Sequence, residues 1–149
     1  MPRSDFQFFH RLRVRYSEID GQAVVFNARY LDYADLGVAE YFRVLGIPIV
    51  PGPETPEFHA VRAAVDFKKP ILLDEEVDIG VRTARIGHTS VTFALELHGK
   101  GAEDLRAAIE LVYVHIDLAT KKSQQVPDWV IAAISAHATR SSGALDARG

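Results

Sequence analysis

The chain has 149 residues, 48% hydrophobic and 25% charged, with a formal net charge of -3 and no cysteine. That length suits a single domain over 1–149, since domains run to roughly 100–200 residues. The acidic balance argues against a general nucleic-acid binder, and the missing cysteine excludes a disulfide scaffold, a thiolate zinc site and a cysteine nucleophile.

The opening stretch, Met1 to His10, has no signal-peptide h-region. No apolar run approaches the roughly 18 residues of a membrane span. The expectation is a cytoplasmic protein without a membrane partner. Residues 11–16 alternate Arg11, Arg13 and Arg15 against Leu12, Val14 and Tyr16, which predicts a strand with one wet face. The three arginines either mark an anion site or form a solvated face. After a break at 17–23 the period changes. Tyr30, Ala34, Gly37, Val38, Tyr41, Phe42 and Leu45 make one stripe of a helix over 28–45. Asn27 stands where an N-cap belongs. Gly46 and Pro48 stop the helix.

Residues 47–57 hold four prolines and a glycine and read as a loop. Four strand-like runs follow, at 58–67, 76–86, 90–98 and 106–118, joined by turns at 86–89 and 99–104. The last run is apolar on both faces, which implies burial on both. Pro127-Asp128-Trp129 opens a short C-terminal helix. From about 139 to 149 the pattern is lost, and a flexible tail is expected. Consecutive strands with short turns favour an antiparallel sheet. One helix cannot cover both of its faces, so a second copy is expected to cover the rest.

The six histidines, His10, His59, His88, His98, His115 and His137, show no paired metal spacing, so no metal is expected. There is no G-x-S-x-G elbow and no phosphate-binding G-x-x-x-x-G-K-[ST] loop. What remains is Glu18-Ile19-Asp20, just before the long helix. A carboxylate there meets the positive end of the helix dipole, and free backbone amides at a helix start can receive an oxyanion. The pairing suits acyl transfer. Acids before helices are also ordinary capping residues, and the residues alone leave both readings open.

The stretch Arg13 to Tyr33, with Asp20, the aliphatic pair Val24-Val25, Tyr30 and the helix that follows, resembles the signature of the 4-hydroxybenzoyl-CoA thioesterase family of hotdog-fold proteins. Phe67-Lys68-Lys69-Pro70, Ile86-Gly87-His88-Thr89-Ser90 and Pro127-Asp128-Trp129 resemble later family steps, so the likeness covers about 8–136. It implies an α+β hotdog fold, a long central helix wrapped by a five-stranded antiparallel sheet. It also implies an acyl-CoA thioesterase that needs no cofactor beyond the CoA of its substrate. On the family pattern Asp20 is the nucleophile or general base, and the backbone amide at Asn27 polarises the carbonyl. Gly21, Ala23, Val25, Phe26, Tyr30, Lys68, Lys69, His88, Thr89 and Ser90 are the implied substrate contacts. Glu18 is a structural or solvent-facing acid, His59 and Arg62 are weaker CoA candidates, and His115 is a satisfied sheet residue. The family places its sites between subunits, which implies a homo-oligomer, either a dimer or a tetramer built as a dimer of dimers. An acyl-ACP thioesterase and a non-catalytic acyl-CoA-binding hotdog protein are the alternatives. One departure stands out. The family's glycine falls on Ala23, and alanine fits there only with negative φ and room for its methyl.

Overall fold

The computed structural model describes residues 2–148, with side chains over 2–138. In chain order it runs β1 (Phe9–Arg13), α1 (Arg29–Leu45), β2 (Phe58–Phe67), β3 (Glu76–Ile86), β4 (Ser90–Gly99), β5 (Leu105–His115) and α2 (Asp128–Arg148). Short 3-10 turns lie at Arg3–Asp5 and Tyr16–Glu18. The strands form one five-stranded sheet in the order β1-β3-β4-β5-β2, antiparallel at every junction. α1 packs on one face. This is the α+β, helix-on-sheet architecture that the sequence implies.

The pattern explains the packing. All seven stripe residues of α1 are buried, and Tyr33 joins them. They meet Val77, Ile79 and Val81 of β3, Phe93, Leu95 and Leu97 of β4, and Ile109 and Leu111 of β5 in one core. Each valine, leucine, isoleucine and phenylalanine among them contributes about 1.5–3 kcal/mol by leaving water. Gly37 is the point of closest approach: a Cβ built on it would stand 2.7 Å from Ile79 Cγ2, so only glycine lets the helix lie this near the sheet. Gly46 ends α1 in the left-handed region, with φ of 80°.

The opposite face of the sheet is partly covered by the chain's own N-terminus. Phe6 and Phe9 fill the space above Gly80. Arg3 lies over the Phe9 ring, 4.3 Å from its centroid, and reaches the buried Asp78 at 2.9 Å.

Several boundaries differ from the expectation. The first strand spans Phe9–Arg13, not 11–16. The chain turns at Tyr16–Glu18 because the Glu18 carboxylate gathers the Arg15 amide and guanidinium, and Tyr16 ends up exposed. β5 ends at His115, where the chain folds back with the Lys121 amide bonded to the Asp117 carbonyl at 2.7 Å. α2 is longer than the short helix expected, reaching Arg148. The expected flexible tail at 139–149 falls on residues whose side chains, and all of Gly149, lie outside the described ones. Among the described residues no helix is long and apolar enough to cross a membrane.

Candidate active site at the start of the long helix

Asp20 sits in a tight loop between the Tyr16–Glu18 turn and α1. Its amide donates to the Val24 carbonyl at 2.9 Å, and its carbonyl accepts the Ala23 amide at 3.0 Å. Its Oδ1 accepts the Gln22 amide at 2.8 Å. No protein donor among the described residues meets Oδ2. The side chain is half-buried, and one oxygen is left to act. The loop is pinned from outside by the segment after β2: Val25 donates to the Ile71 carbonyl at 2.8 Å, and Leu73 donates to the Ala23 carbonyl at 3.1 Å.

Ala23 takes φ of 61°, the left-handed conformation. The expectation that alanine needs negative φ here is therefore overturned. Its neighbours' hydrogen bonds hold it in a backbone shape that glycine adopts without strain. Gly21, two residues earlier, is exposed with open space around its α-carbon.

Asn27 is not the N-cap. α1 begins at Arg29, the capping position is Ala28 in helical conformation, and no side chain caps it. The Asn27 carbonyl accepts the Tyr30 amide at 3.3 Å. The amides of Asn27 and Ala28 have no acceptor among the described residues, so the helix start keeps free donors for an oxyanion.

Beside these amides is a cavity of about 220 Å³ lined by Val24, Val25, Asn27, Tyr30, Phe67, Lys68, Lys69 and Pro70. Five of the implied site residues (Val25, Asn27, Tyr30, Lys68 and Lys69) thus share one cleft. Tyr30 and Phe67 stack edge to face in its wall, with centroids 4.8 Å apart. Asp20 does not line the cavity; its link is the bond to Val24, which does. Phe67 is half exposed although it lines the cavity, and Phe26 and Leu72, which do not line it, are exposed as well. The two lysines differ. Lys69 Nζ is held by Asp104 at 2.6 Å, while the Lys68 ammonium has no partner among the described residues.

His88, Thr89 and Ser90 lie elsewhere. Ser90 pairs with Val114 on β5, whereas Phe67, next to the lysines, pairs with Ala107. Seven residues of strand, about 23 Å, separate the two sets within one chain. A larger cavity of about 810 Å³ opens at that far end, between the 46–57 loop, the 115–118 stretch and Trp129. Its lining includes Glu54, Glu57 and Asp117 and neither lysine nor arginine, which suits it poorly to a polyanionic ligand.

The charged residues around the helix start are structural. Glu18 is buried, and its carboxylate accepts the Arg15 amide and guanidinium and the Tyr33 hydroxyl, the last at 2.8 Å. Burial opposes its charge, but these donors outweigh it and hold the acid below its usual range. Burial and Glu18 together push the Tyr33 phenol up. Arg11, Arg13 and Arg15 form no open anion site: Arg11 binds Asp78, Arg13 the Asp74 carbonyl, and Arg15 Glu18. His59 and Arg62 bind Glu57 and Glu110 on the surface. His115 is buried, with Nδ1 2.9 Å from the Gln125 carbonyl. Among the described residues no group of three histidine or carboxylate side chains is placed to hold a metal.

Nothing in the sequence marks Arg106, which is buried beside the cleft. Its guanidinium binds Asp104, Glu75 and the Pro70 carbonyl. One arginine on an alternating strand carries no local mark of partners more than thirty residues away.

Residues 14–134 match the model of the thioesterase-like superfamily. Among solved structures, the chain is similar to the PA5185 protein of Pseudomonas aeruginosa strain PAO1, with a TM-score of 0.82, 24% identity and 91% and 94% of the two chains covered. It is similar to Slr0204, a 1,4-dihydroxy-2-naphthoyl-CoA thioesterase from Synechocystis, with a TM-score of 0.79, 17% identity and 86% and 95% coverage. It is also similar to a thioesterase from Thermus thermophilus complexed with coenzyme A and Zn, with a TM-score of 0.74, 27% identity and 89% and 94% coverage. With four-fifths of its length inside the family match, and the fold in agreement, this chain belongs to the thioesterase-like superfamily.

Proposed function

We propose that this protein is a cytoplasmic acyl-CoA thioesterase of the 4-hydroxybenzoyl-CoA thioesterase type. The observation that carries the reading is the Asp20 loop beside the uncapped start of α1: a half-buried carboxylate with one oxygen fixed by the Gln22 amide and the other unengaged, next to the cleft where the free amides of Asn27 and Ala28 begin the helix. Relatives named as thioesterases, one of them complexed with coenzyme A, support it.

The reaction is acyl-S-CoA plus water giving the acid and CoA-SH. The thioester carbonyl lies at the helix start, where the amides stabilise negative charge as it grows on oxygen. Asp20 then acts in one of two ways. It attacks the carbonyl carbon, expelling CoA thiolate and forming an anhydride that water hydrolyses, or it takes a proton from water that attacks the same carbon. In either course the C–S bond breaks and the thiolate is protonated.

A second copy completes the site. β2 is an edge strand of ten residues, largely exposed, with Val61 and Phe67 facing water, and such an edge is a template for pairing. Two β2 edges paired antiparallel bring the Phe67 end of one beside the Phe58 end of the other. That carries the β3–β4 turn of a second copy, with its His88-Thr89-Ser90 sequence, towards the cleft of the first. The assembly is a dimer or a dimer of dimers.

The test is thiol release from a panel of short, long and aromatic acyl-CoAs by wild type and Asp20→Asn. Wild type should turn over at least one, and Asp20→Asn should lose about 100-fold or more with an unchanged circular dichroism spectrum. Equal rates would remove Asp20 from the mechanism. Calorimetric CoA binding with no hydrolysis of any substrate would replace the enzyme with a binding protein.

A further inference from the structure

We infer that Arg106 is a positioning residue for the Asp20 loop, holding it in register through the segment between β2 and β3. The inference rests on the reading of Asp20 given above. Every donor of the buried guanidinium is used. Nε donates to Asp104 Oδ2 at 2.9 Å, and one terminal nitrogen donates to the Pro70 carbonyl at 2.9 Å and to Glu75 Oε1 at 3.0 Å. The other terminal nitrogen donates to Glu75 Oε2 and to Asp104 Oδ2, both at 2.7 Å. The Arg106 carbonyl accepts two more bonds from the same segment, the Lys68 amide at 2.9 Å and the Lys69 amide at 3.2 Å. One β5 residue thus grips Lys68, Lys69, Pro70 and Glu75.

That segment carries the Asp20 loop. Between the gripped ends, Ile71 accepts the Val25 amide, Leu72 bridges Val24, and Leu73 donates to Ala23. Ala23 and Val24 are in turn bonded to the Asp20 backbone. Arg106 therefore reaches Asp20 through three successive sets of hydrogen bonds and touches neither Asp20 nor the cleft lining among Val24, Val25 and Asn27. The planar fork matters. A guanidinium can hold a bidentate carboxylate and a carbonyl at once, and an ammonium cannot.

If the segment shifts, Ala23 is no longer held at positive φ, and Asp20 drifts from the helix start. A displacement of about 1 Å at a reacting group can cost about 100-fold in rate. Such a loss appears in kcat and leaves KM nearly unchanged, because the Arg106 carbonyl, which a side-chain replacement keeps, still holds the Lys68 and Lys69 amides at the cleft.

The experiment compares wild type, Arg106→Gln, Arg106→Lys and Glu75→Gln by amide hydrogen exchange without substrate and by steady-state hydrolysis of the best acyl-CoA of the panel. Glu75→Gln cuts the same link from its half-buried partner and covers the case in which Arg106→Gln does not fold. The amides of Ala23, Val25 and Leu73 should exchange about tenfold faster or more in the Gln variants, with those of α1 and β4 unchanged. kcat should fall by about 100-fold for Arg106→Gln and about tenfold for Glu75→Gln, with KM within about threefold, and Arg106→Lys should recover only part. Unchanged exchange at Ala23 and Val25 would overturn the inference, as would faster exchange with full kcat. Asp20→Asn run alongside keeps the two readings apart: if it hydrolyses at the wild-type rate, the Asp20 assignment falls, and the exchange data still decide whether Arg106 holds the loop.

Discussion

The carbonyl of Ala23 accepts the Leu73 amide at 3.1 Å while Ala23 itself is held at φ of 61°. The bond and the conformation belong together. The amide of Ala23 donates to Asp20 on one side and its carbonyl accepts from Leu73 on the other, so a change of φ at Ala23 would turn one peptide against the other and break one of the two bonds. An L-residue in the left-handed region costs about 1–2 kcal/mol, and a glycine avoids that at some cost in chain entropy. Ala23→Gly should therefore stabilise the fold by about 0.5–1 kcal/mol in urea denaturation, with hydrolysis at least as fast as wild type. A loss of stability would mean that the methyl makes a contact that outweighs the backbone strain.

This position also shows what the sequence could and could not convey. Its place in the motif was legible, since Asp20, Val24-Val25 and Tyr30 keep the family spacing, and its identity as alanine looked like an obstacle. Alanine is held in the strained conformation by the Leu73 amide, which donates to its carbonyl, and by the Ile71 carbonyl, which accepts from Val25 two residues on; no spacing rule connects these residues to the loop. The α1 stripe was legible because burial on a helix repeats with the helical period; Tyr33 escaped because its partner is the buried Glu18 carboxylate, not the apolar core alone. Asn27 looked like a cap by residue type, yet the chain enters α1 through a turn at Asn27 and Ala28 that needs no cap. The cover provided by Phe6 and Phe9 was missed because a short lead-in to a strand carries no period. Local pattern wrote the core; contacts distant in sequence wrote the shape of the site.

Asp104 supplies a pH dependence. Hydrogen bonds from Arg106, then from Lys69, pull its carboxyl down to about 2, against an ordinary value of 3.8. A depressed folded-state value favours the fold wherever the unfolded chain would bind the proton more readily. The contribution is therefore complete above the ordinary value and disappears as pH falls from about 4 to about 2. In urea denaturation, the stability gap between wild type and Asp104→Asn should be constant near neutrality and close across that acid window. A gap that ignores pH down to about 2 would show that Asp104 acts through shape and not through charge.

Lys68 and Lys69 are adjacent on the cleft and chemically unequal. Lys69 is committed to Asp104 at 2.6 Å, an acid that Arg106 also holds, so turning to a CoA phosphate costs it an existing ion pair. Lys68 has its backbone fixed by the Arg106 carbonyl at 2.9 Å and an ammonium without a protein partner among the described residues. Lys68→Ala should weaken calorimetric CoA binding by about 3–10-fold at low salt, with most of that effect gone at about 0.5 M salt, as screening of an exposed charge requires (a Debye length of about 4 Å). Lys69→Ala should change it by less than about twofold while lowering thermal stability. The reverse ranking would mean that Lys69 leaves Asp104 when ligand arrives, which makes that ion pair a latch on the cleft and not a fixed part of its wall.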